Sequence, residues 1–221
     1  MIANPEDAAG LHYAARHVTN QQGHRVRPDY RVNSLPMHRG AAVVLNYTYV
    51  DNSNVFIEGQ FVSAVAKGDA SDVYDAHARW VPDHGWKLDY GKLHSLVCGA
   101  KHEIGAANLW GSPPPGDSFW QFVKSKGFDV KTYDRSVSGK EKKVDVALAH
   151  RMTKDAYTII DKANSEISLA AGDKDYVPVV EDLTHEGFHV VVVFWDHAAT
   201  ELKEAASEFF SLNAHLDHLT V

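Results

Sequence analysis

The sequence predicts an α/β fold: a central parallel sheet with helices on both faces, preceded by an irregular extension over residues 1–40. Three observations predict it. First, Ala42–Val50 and Phe188–Trp195 are nearly all apolar and rich in β-branched and aromatic residues, as strands buried on both faces are. Second, such runs alternate with segments of helical period, the pattern of βαβ units. Third, aspartates stand where strands stop, at Asp51 and at Asp173. In an open parallel sheet, chemistry collects beyond the carboxyl ends of the strands.

Residues 1–40 are rich in Asn, Gln, His, Arg and Pro and show no sustained period; only Leu11–Val18 suggests a short helix. The folded domain is expected over 41–221. After the first strand, Ile57, Phe61 and Val65 recur every four residues and predict a helix over Val55–Ala66, closed by Gly68. Residues 69–87 read as irregular. Asp89–Cys98 reads as a helix burying Leu93, Leu96 and Val97, with Gly99 past its end. Ala106–Trp110 is the second strand, cut off by Pro113-Pro114-Pro115. A helix capped by Asp117 or Ser118 then carries Phe119, Phe122 and Val123 to Gly127, and Phe128–Tyr133 alternates as a strand. Val144–Ile160 is a long helix with Val144, Leu148 and Met152 four apart. Ile167–Ala171 is the fourth strand, and Val177, Val180 and Leu183 form the stripe of the next helix, which ends at Gly187. After Phe188–Trp195 come a helix through Leu202, Ala205, Ala206 and Phe209 and a tail with one short strand.

Composition narrows the function classes. A formal charge of −7 argues against non-specific coating of nucleic acid. A local basic face is still present: Lys124–Lys143 holds seven Lys and Arg residues against three acids. No apolar run is long enough for a membrane span, and no basic segment followed by an apolar core opens the chain. A single cysteine, Cys98, excludes an internal disulfide and fits a reducing compartment, so a cytoplasmic location is expected. The fourteen histidines are scattered and read as surface residues.

The carboxylates carry the chemistry. Asp51 ends the first strand, Asp173 ends the fourth, Asp175 follows two residues later, and Asp145 opens the long helix after a basic loop. If the first and fourth strands are neighbours, Asp51 and Asp173 face one crevice, with Asp145 entering from the side. Three or four carboxylates in one crevice suit Mg²⁺ or Mn²⁺, hard cations that prefer oxygen. The same positions also suit helix capping, with Asp173 as cap and Asp175 in the first turn. Asn54 can likewise be a cap, and Asn52, Ser53 and Glu58 are candidates to support the first aspartate.

The segments Asp51-Asn52-Ser53-Asn54, Gly139–Asp145 and Ala171–Tyr176 together resemble the three signature segments of NYN domains, the PIN-like nucleases grouped with LabA and DUF88 proteins. The resemblance runs from about Val43 to Leu212. It implies a PIN-like three-layer α/β/α sandwich and a metal-dependent endoribonuclease acting on RNA, expected single-stranded. By that resemblance Asp51, Asp145, Asp173 and Asp175 are the catalytic, metal-binding acids, and Asn54, with Ser53 beside it, supports the first of them. Lys140, Lys142 and Lys143 would hold RNA phosphates, an attraction that weakens with salt. Two departures are Ala171, where Ser is common, and Ser207, where many members carry an acid in the last helix. A homodimer is compatible with the sequence.

The sequence bears on three rival readings. A haloacid-dehalogenase-type phosphatase needs an acid two residues after its nucleophilic aspartate, where this chain has Ser53. A dehydrogenase needs Gly-x-Gly-x-x-Gly after a strand, which is absent. A non-catalytic RNA- or metal-binding regulatory module with the same fold is the main alternative function. Cys98 with His94 reads as a buried structural cysteine rather than a nucleophile pair.

Overall fold

The structure, a computed structural model, describes residues 44–112, 116–133 and 142–221, with backbone alone for 142 and 143. The extension over 1–40, its Leu11–Val18 helix, the three prolines and Lys140 lie outside the described residues.

In chain order the elements are β1 (Leu45–Asp51), α1 (Asn52–Lys67), α2 (Val73–Ala78), α3 (Tyr90–Cys98), β2 (Ile104–Gly111), α4 (Asp117–Ser125), β3 (Asp129–Thr132) and α5 (Lys142–Thr158). There follow β4 (Ser165–Ala170), a 3-10 turn (Lys174–Tyr176), α6 (Val177–His185), β5 (Val190–Phe194), α7 (Thr200–Ala205), β6 (Glu208–Ser211), a second 3-10 turn (Asn213–His215) and α8 (Leu216–Leu219). The six described strands pair in parallel in the order β3-β2-β1-β4-β5-β6. The order runs outward one way from β1 and the other way from β4, so the switch point lies between these two neighbours. There Tyr49 registers with Leu169 and Val50 with Ala170. The expected adjacency of the first and fourth strands is what the chain adopts.

Alternation along β1 assigns the two faces. Asn46 Nδ2 and Thr48 Oγ1 both donate to the Val97 carbonyl at the end of α3, at 2.8 and 3.1 Å. The odd-numbered residues turn to the opposite face, where the Tyr49 hydroxyl donates to Asp155 of α5 at 2.9 Å. Arg151 Nε, one turn earlier, donates to the same Asp155 oxygen at 2.6 Å. Every residue of β4 and β5 is buried; β5 is apolar throughout, whereas β4 also buries Ser165, Glu166 and Ser168. Val144, Leu148 and Met152 are buried as their spacing predicts, and they fasten α5 to the sheet.

Several local expectations differ from the structure. The first helix starts at Asn52, because the Asp51 side chain caps it, and Ile57 of the expected buried stripe is exposed. Phe61 is buried as expected, in a satellite cluster with Ala70 and Ala76, and Val55 and Val62 are buried where Ile57 is not. The stretch read as irregular holds α2, capped by Asp72. In α4 the buried pair is Trp120 and Val123, while Phe122 is half exposed; Gly116 stands at the cap position without a side-chain bond. The helix through Phe209 stops at Ala205, and Phe209 lies in β6, where the backbone completes the open edge of β5. Ser207 is therefore not in the last helix; its hydroxyl accepts from Val190 N at 3.1 Å. The tail forms α8 rather than a strand, touching the rest by the antiparallel Leu88–Thr220 bridge.

Asp89 shows how local chemistry positions an element here. Its carboxylate accepts from Gly91 N at 2.9 Å and Lys92 N at 3.1 Å, capping α3. Burial opposes ionisation, but these two bonds prevail and its pKa sits below the ordinary carboxylate value. Replacing Asp89 with Ala is expected to cost about 1 kcal/mol in urea unfolding at neutral pH. A depressed folded pKa means that the contribution is present above the unfolded value and disappears as pH falls through the folded one. The gap between Asp89→Ala and wild type should therefore close below about pH 4.

Candidate active site

Each acid is delivered by a helix start or a strand end. Asp51 is the last residue of β1 and also the N-cap of α1; its Oδ1 accepts from Asn54 N and from the Ser53 hydroxyl, both at 3.1 Å. Asp173 lies three residues beyond β4 and caps the 3-10 turn, accepting from Asp175 N at 3.1 Å. Asp145 sits in the first turn of α5. The cap role foreseen for Asp173 and the first-turn places foreseen for Asp145 and Asp175 are thus real, and Asp51 caps α1 as well.

The bond joining the cluster comes from Tyr176. Its hydroxyl lies 3.0 Å from Asp51 Oδ2 and 3.4 Å from Asp145 Oδ1, so one buried phenol reaches both carboxylates. Burial, and then the two charges, hold this phenol protonated far above its ordinary range, which keeps it a donor. Asn54 acts on the other side. Its Oδ1 accepts from Gly172 N at 2.7 Å, stapling the start of α1 to the loop after β4. A side chain at Gly172 would overlap the Phe194 ring, so the loop runs close over β5 only because that residue is glycine.

The electrostatics separate the acids. Asp51 is 3% exposed, and burial pushes its carboxyl up to about 6. The Asp145 charge adds to that rise, while the bonds from Asn54, Tyr176 and Ser53 oppose it. Asp145 is also raised, first by burial, then by the charge of Asp173 and, less, by that of Asp175. A hydrogen bond between the Asp51 and Asp145 carboxyl groups pulls the other way, so the pair titrates jointly. Asp145 thus feels all three other acids named by the sequence. The donor set is all carboxylate oxygen, and burial together with neighbouring acid charge pushes two of its members, Asp51 and Asp145, above the ordinary carboxylate range. A hard divalent cation would relieve both costs, so the residues fit Mg²⁺ or Mn²⁺.

Other named residues fall elsewhere. Asn52 accepts from the Tyr90 hydroxyl at 2.6 Å and fixes α3 against the start of α1. Glu58 does not support Asp51; it binds two histidines further along α1. Lys142 and Lys143 open α5 within three residues of Asp145, and their side chains are outside the described set. Cys98 is fully buried and its thiol is pushed up to about 12 by burial, consistent with a structural role.

Sequence reasoning missed two things. Tyr176 is not singled out by the sequence; a phenol three residues after Asp173, in the same acidic segment, is the available signal. The histidines looked scattered because their partners are distant in sequence. Among the described residues, one group of three potential metal ligands has all donor atoms within 4.8 Å of one another: Glu58, His77 and His197. No three of the aspartates approach each other that closely.

Comparison with known proteins places these features. No curated protein matches the chain in sequence. A crystal structure of a protein of unknown function from Vibrio parahaemolyticus is similar, with a TM-score of 0.56 at 14% identity over 83% of this chain and 100% of that one. At that identity the likeness speaks for the fold alone. Among the described residues no helix is long and apolar enough to cross a membrane. The family model for the NYN domain matches residues 50–213, a span that contains all four aspartates, Asn54 and Tyr176. The chain belongs to the NYN domain family.

Proposed function

We propose that the protein is a metal-dependent ribonuclease that hydrolyses phosphodiester bonds in single-stranded RNA, with Mg²⁺ or Mn²⁺ held among Asp51, Asp145, Asp173 and Asp175. The observation that carries this reading is the bridge by Tyr176 between buried Asp51 and half-buried Asp145, at the switch point between β1 and β4. Such ions neutralise charge on the scissile phosphate and make water more acidic. The protein's own groups do the rest. Tyr176, Ser53 and the Asn54 amide orient the Asp51 carboxylate, leaving its neighbours Asp145 and Asp173 to complete an oxygen-lined crevice. A carboxylate whose pKa burial lifts to about 6, as at Asp51, also offers a group able to take a proton from an attacking water. Lys140, Lys142 and Lys143 are proposed to hold the RNA backbone beside it, which makes binding salt-dependent.

The test is calorimetric titration of Mg²⁺ or Mn²⁺ into wild type and Asp173→Asn, followed by incubation of both with end-labelled single-stranded RNA. Metal-dependent cleavage by wild type, lost on adding EDTA and in Asp173→Asn, is the expected result. Equal cleavage by the variant would remove the aspartates from catalysis. Metal binding without cleavage on any RNA would favour a non-catalytic RNA-binding module, and no binding at millimolar metal would return the acids to helix capping.

A further inference from the structure

Outside the aspartate crevice, three side chains from three elements converge. Glu58 lies on α1, His77 on α2, and His197 in the loop between β5 and α7. The Nε2 atoms of both histidines lie 2.7 Å from the same Glu58 oxygen, Oε2. Side-chain exposures of 20% for Glu58, 35% for His77 and 14% for His197 leave the group half-buried and open to water on one side. Aromatic rings hold both imidazoles. Phe61 stacks on His77 with centroids 3.8 Å apart, and Phe194 meets His197 edge-on at 5.9 Å.

We propose that Glu58, His77 and His197 form a second metal site, for a divalent transition-metal ion that accepts nitrogen ligands, with Zn²⁺ the best match. Two imidazoles and one carboxylate are a donor set that Zn²⁺ uses, with water in the fourth position. Mg²⁺ and Mn²⁺ favour oxygen, so the two sites in this chain sort different ions. Ligands around tetrahedral zinc stand about 3.3 Å apart, given bond lengths of about 2.0–2.1 Å. The imidazoles need retreat by only about half an ångström, and His77, near the end of a six-residue helix, is the more exposed of the two. Burial opposes ionisation of Glu58, but the hydrogen bonds from His197 and His77 outweigh it, so the carboxylate is charged at neutral pH.

The site sits where a brace would matter. Glu58 is seven residues beyond Asp51, roughly 10 Å along α1 at 1.5 Å per residue. Asn54, one turn before Glu58 on the same helix face, holds Gly172. The His197 loop holds Gly172 too, through Ala199 N donating to its carbonyl at 3.0 Å. A metal on Glu58, His77 and His197 would therefore tie α1, α2 and the β5–α7 loop together behind the segment that carries Asp173.

The inference does not rest on the ribonuclease reading, and its test needs no substrate. Zn²⁺ alone is titrated against full-length, metal-stripped wild type, His77→Gln, His197→Gln and Glu58→Gln, with thermal unfolding recorded for each. Wild type is expected to bind one strong equivalent and to gain about 5–10 °C in Tm when free Zn²⁺ is a hundredfold above Kd. Each variant should lose at least tenfold in affinity for that equivalent, while Asp51→Asn keeps it. Because Glu58→Gln preserves shape, it stands in if a histidine variant does not fold. Equal Zn²⁺ affinity and Tm gain in wild type and the folded variants, or no strong equivalent in wild type, would overturn the site and leave the trio a hydrogen-bonded ion network.

Discussion

Asp51→Asn is expected to abolish metal-dependent cleavage, lowering it by a hundredfold or more, while making the metal-free protein more stable at neutral pH. Replacing groups that merely orient a metal ligand costs about 10–100-fold, so loss of a central carboxylate should cost at least as much. The stability effect follows from the shifted pKa. Burial and the Asp145 charge raise Asp51 from its ordinary 3.8 to about 6. A carboxyl whose folded pKa lies above its unfolded one is favoured in the folded state when protonated. Its contribution is full below about pH 4 and is lost as pH rises towards 6. At 1.36 kcal/mol per unit, a rise of about two units corresponds to roughly 3 kcal/mol. Asparagine resembles the protonated acid: it can accept from Asn54 N and Ser53 and carries no charge against Asp145. Urea unfolding in EDTA should therefore show nearly equal stabilities at pH 4 and an advantage for Asp51→Asn that grows towards pH 7. Adding Mn²⁺ should stabilise wild type and leave the variant unchanged. A gap that does not widen with pH would mean that Asp51 is not the strained carboxylate described here. Stability given up at a site held ready for a ligand is a common trade.

Tyr176→Phe removes one oxygen and leaves the fold's volume intact, so its effects isolate the bridge between Asp51 and Asp145. Tyr176 is 1% exposed and its hydroxyl donates to Asp51 Oδ2 at 3.0 Å. Without it, both carboxylates lose a donor that lowers their pKa, and both should titrate at higher pH than in wild type. The acid limb of the pH–activity profile should then move upward. Metal affinity should fall by about 10–100-fold, the usual cost of losing a group that orients a ligand. Hydrogen bonds to charged groups contribute about 1.5–3 kcal/mol, so the metal-free variant should also lose stability at neutral pH. A variant with unchanged metal affinity and an unmoved acid limb would make Tyr176 a packing residue only.

The two substitutions differ in how visible they were beforehand. Asp51, Asp145, Asp173 and Asp175 were legible because strand ends and helix starts are local features: the apolar run stops, the polar residue follows, and topology needs only β1 beside β4. The strands themselves were legible for the same reason, since burial on both faces leaves a nearly all-apolar signature at Ala42–Val50 and Phe188–Trp195. Elements at the margin were less so. Phe209 continued a helical spacing, but the edge of β5 offered backbone partners and drew it into β6. Ile57 and Phe122 fit helical stripes, yet both are exposed, and the buried positions are Val55, Phe61 and Val62 in α1 and Trp120 and Val123 in α4.

What the sequence by itself determined is therefore the parallel α/β layout, the N-terminal boundary of the apolar pattern and the set of four acids. What only the tertiary structure decided is which groups meet across the chain: Tyr176 between Asp51 and Asp145, Asn54 on Gly172, and His77 with His197 on Glu58. Periodicity and capping are written within a few residues and can be read locally. Convergence of side chains separated by as many as 139 positions depends on strand order and register, which no local pattern encodes.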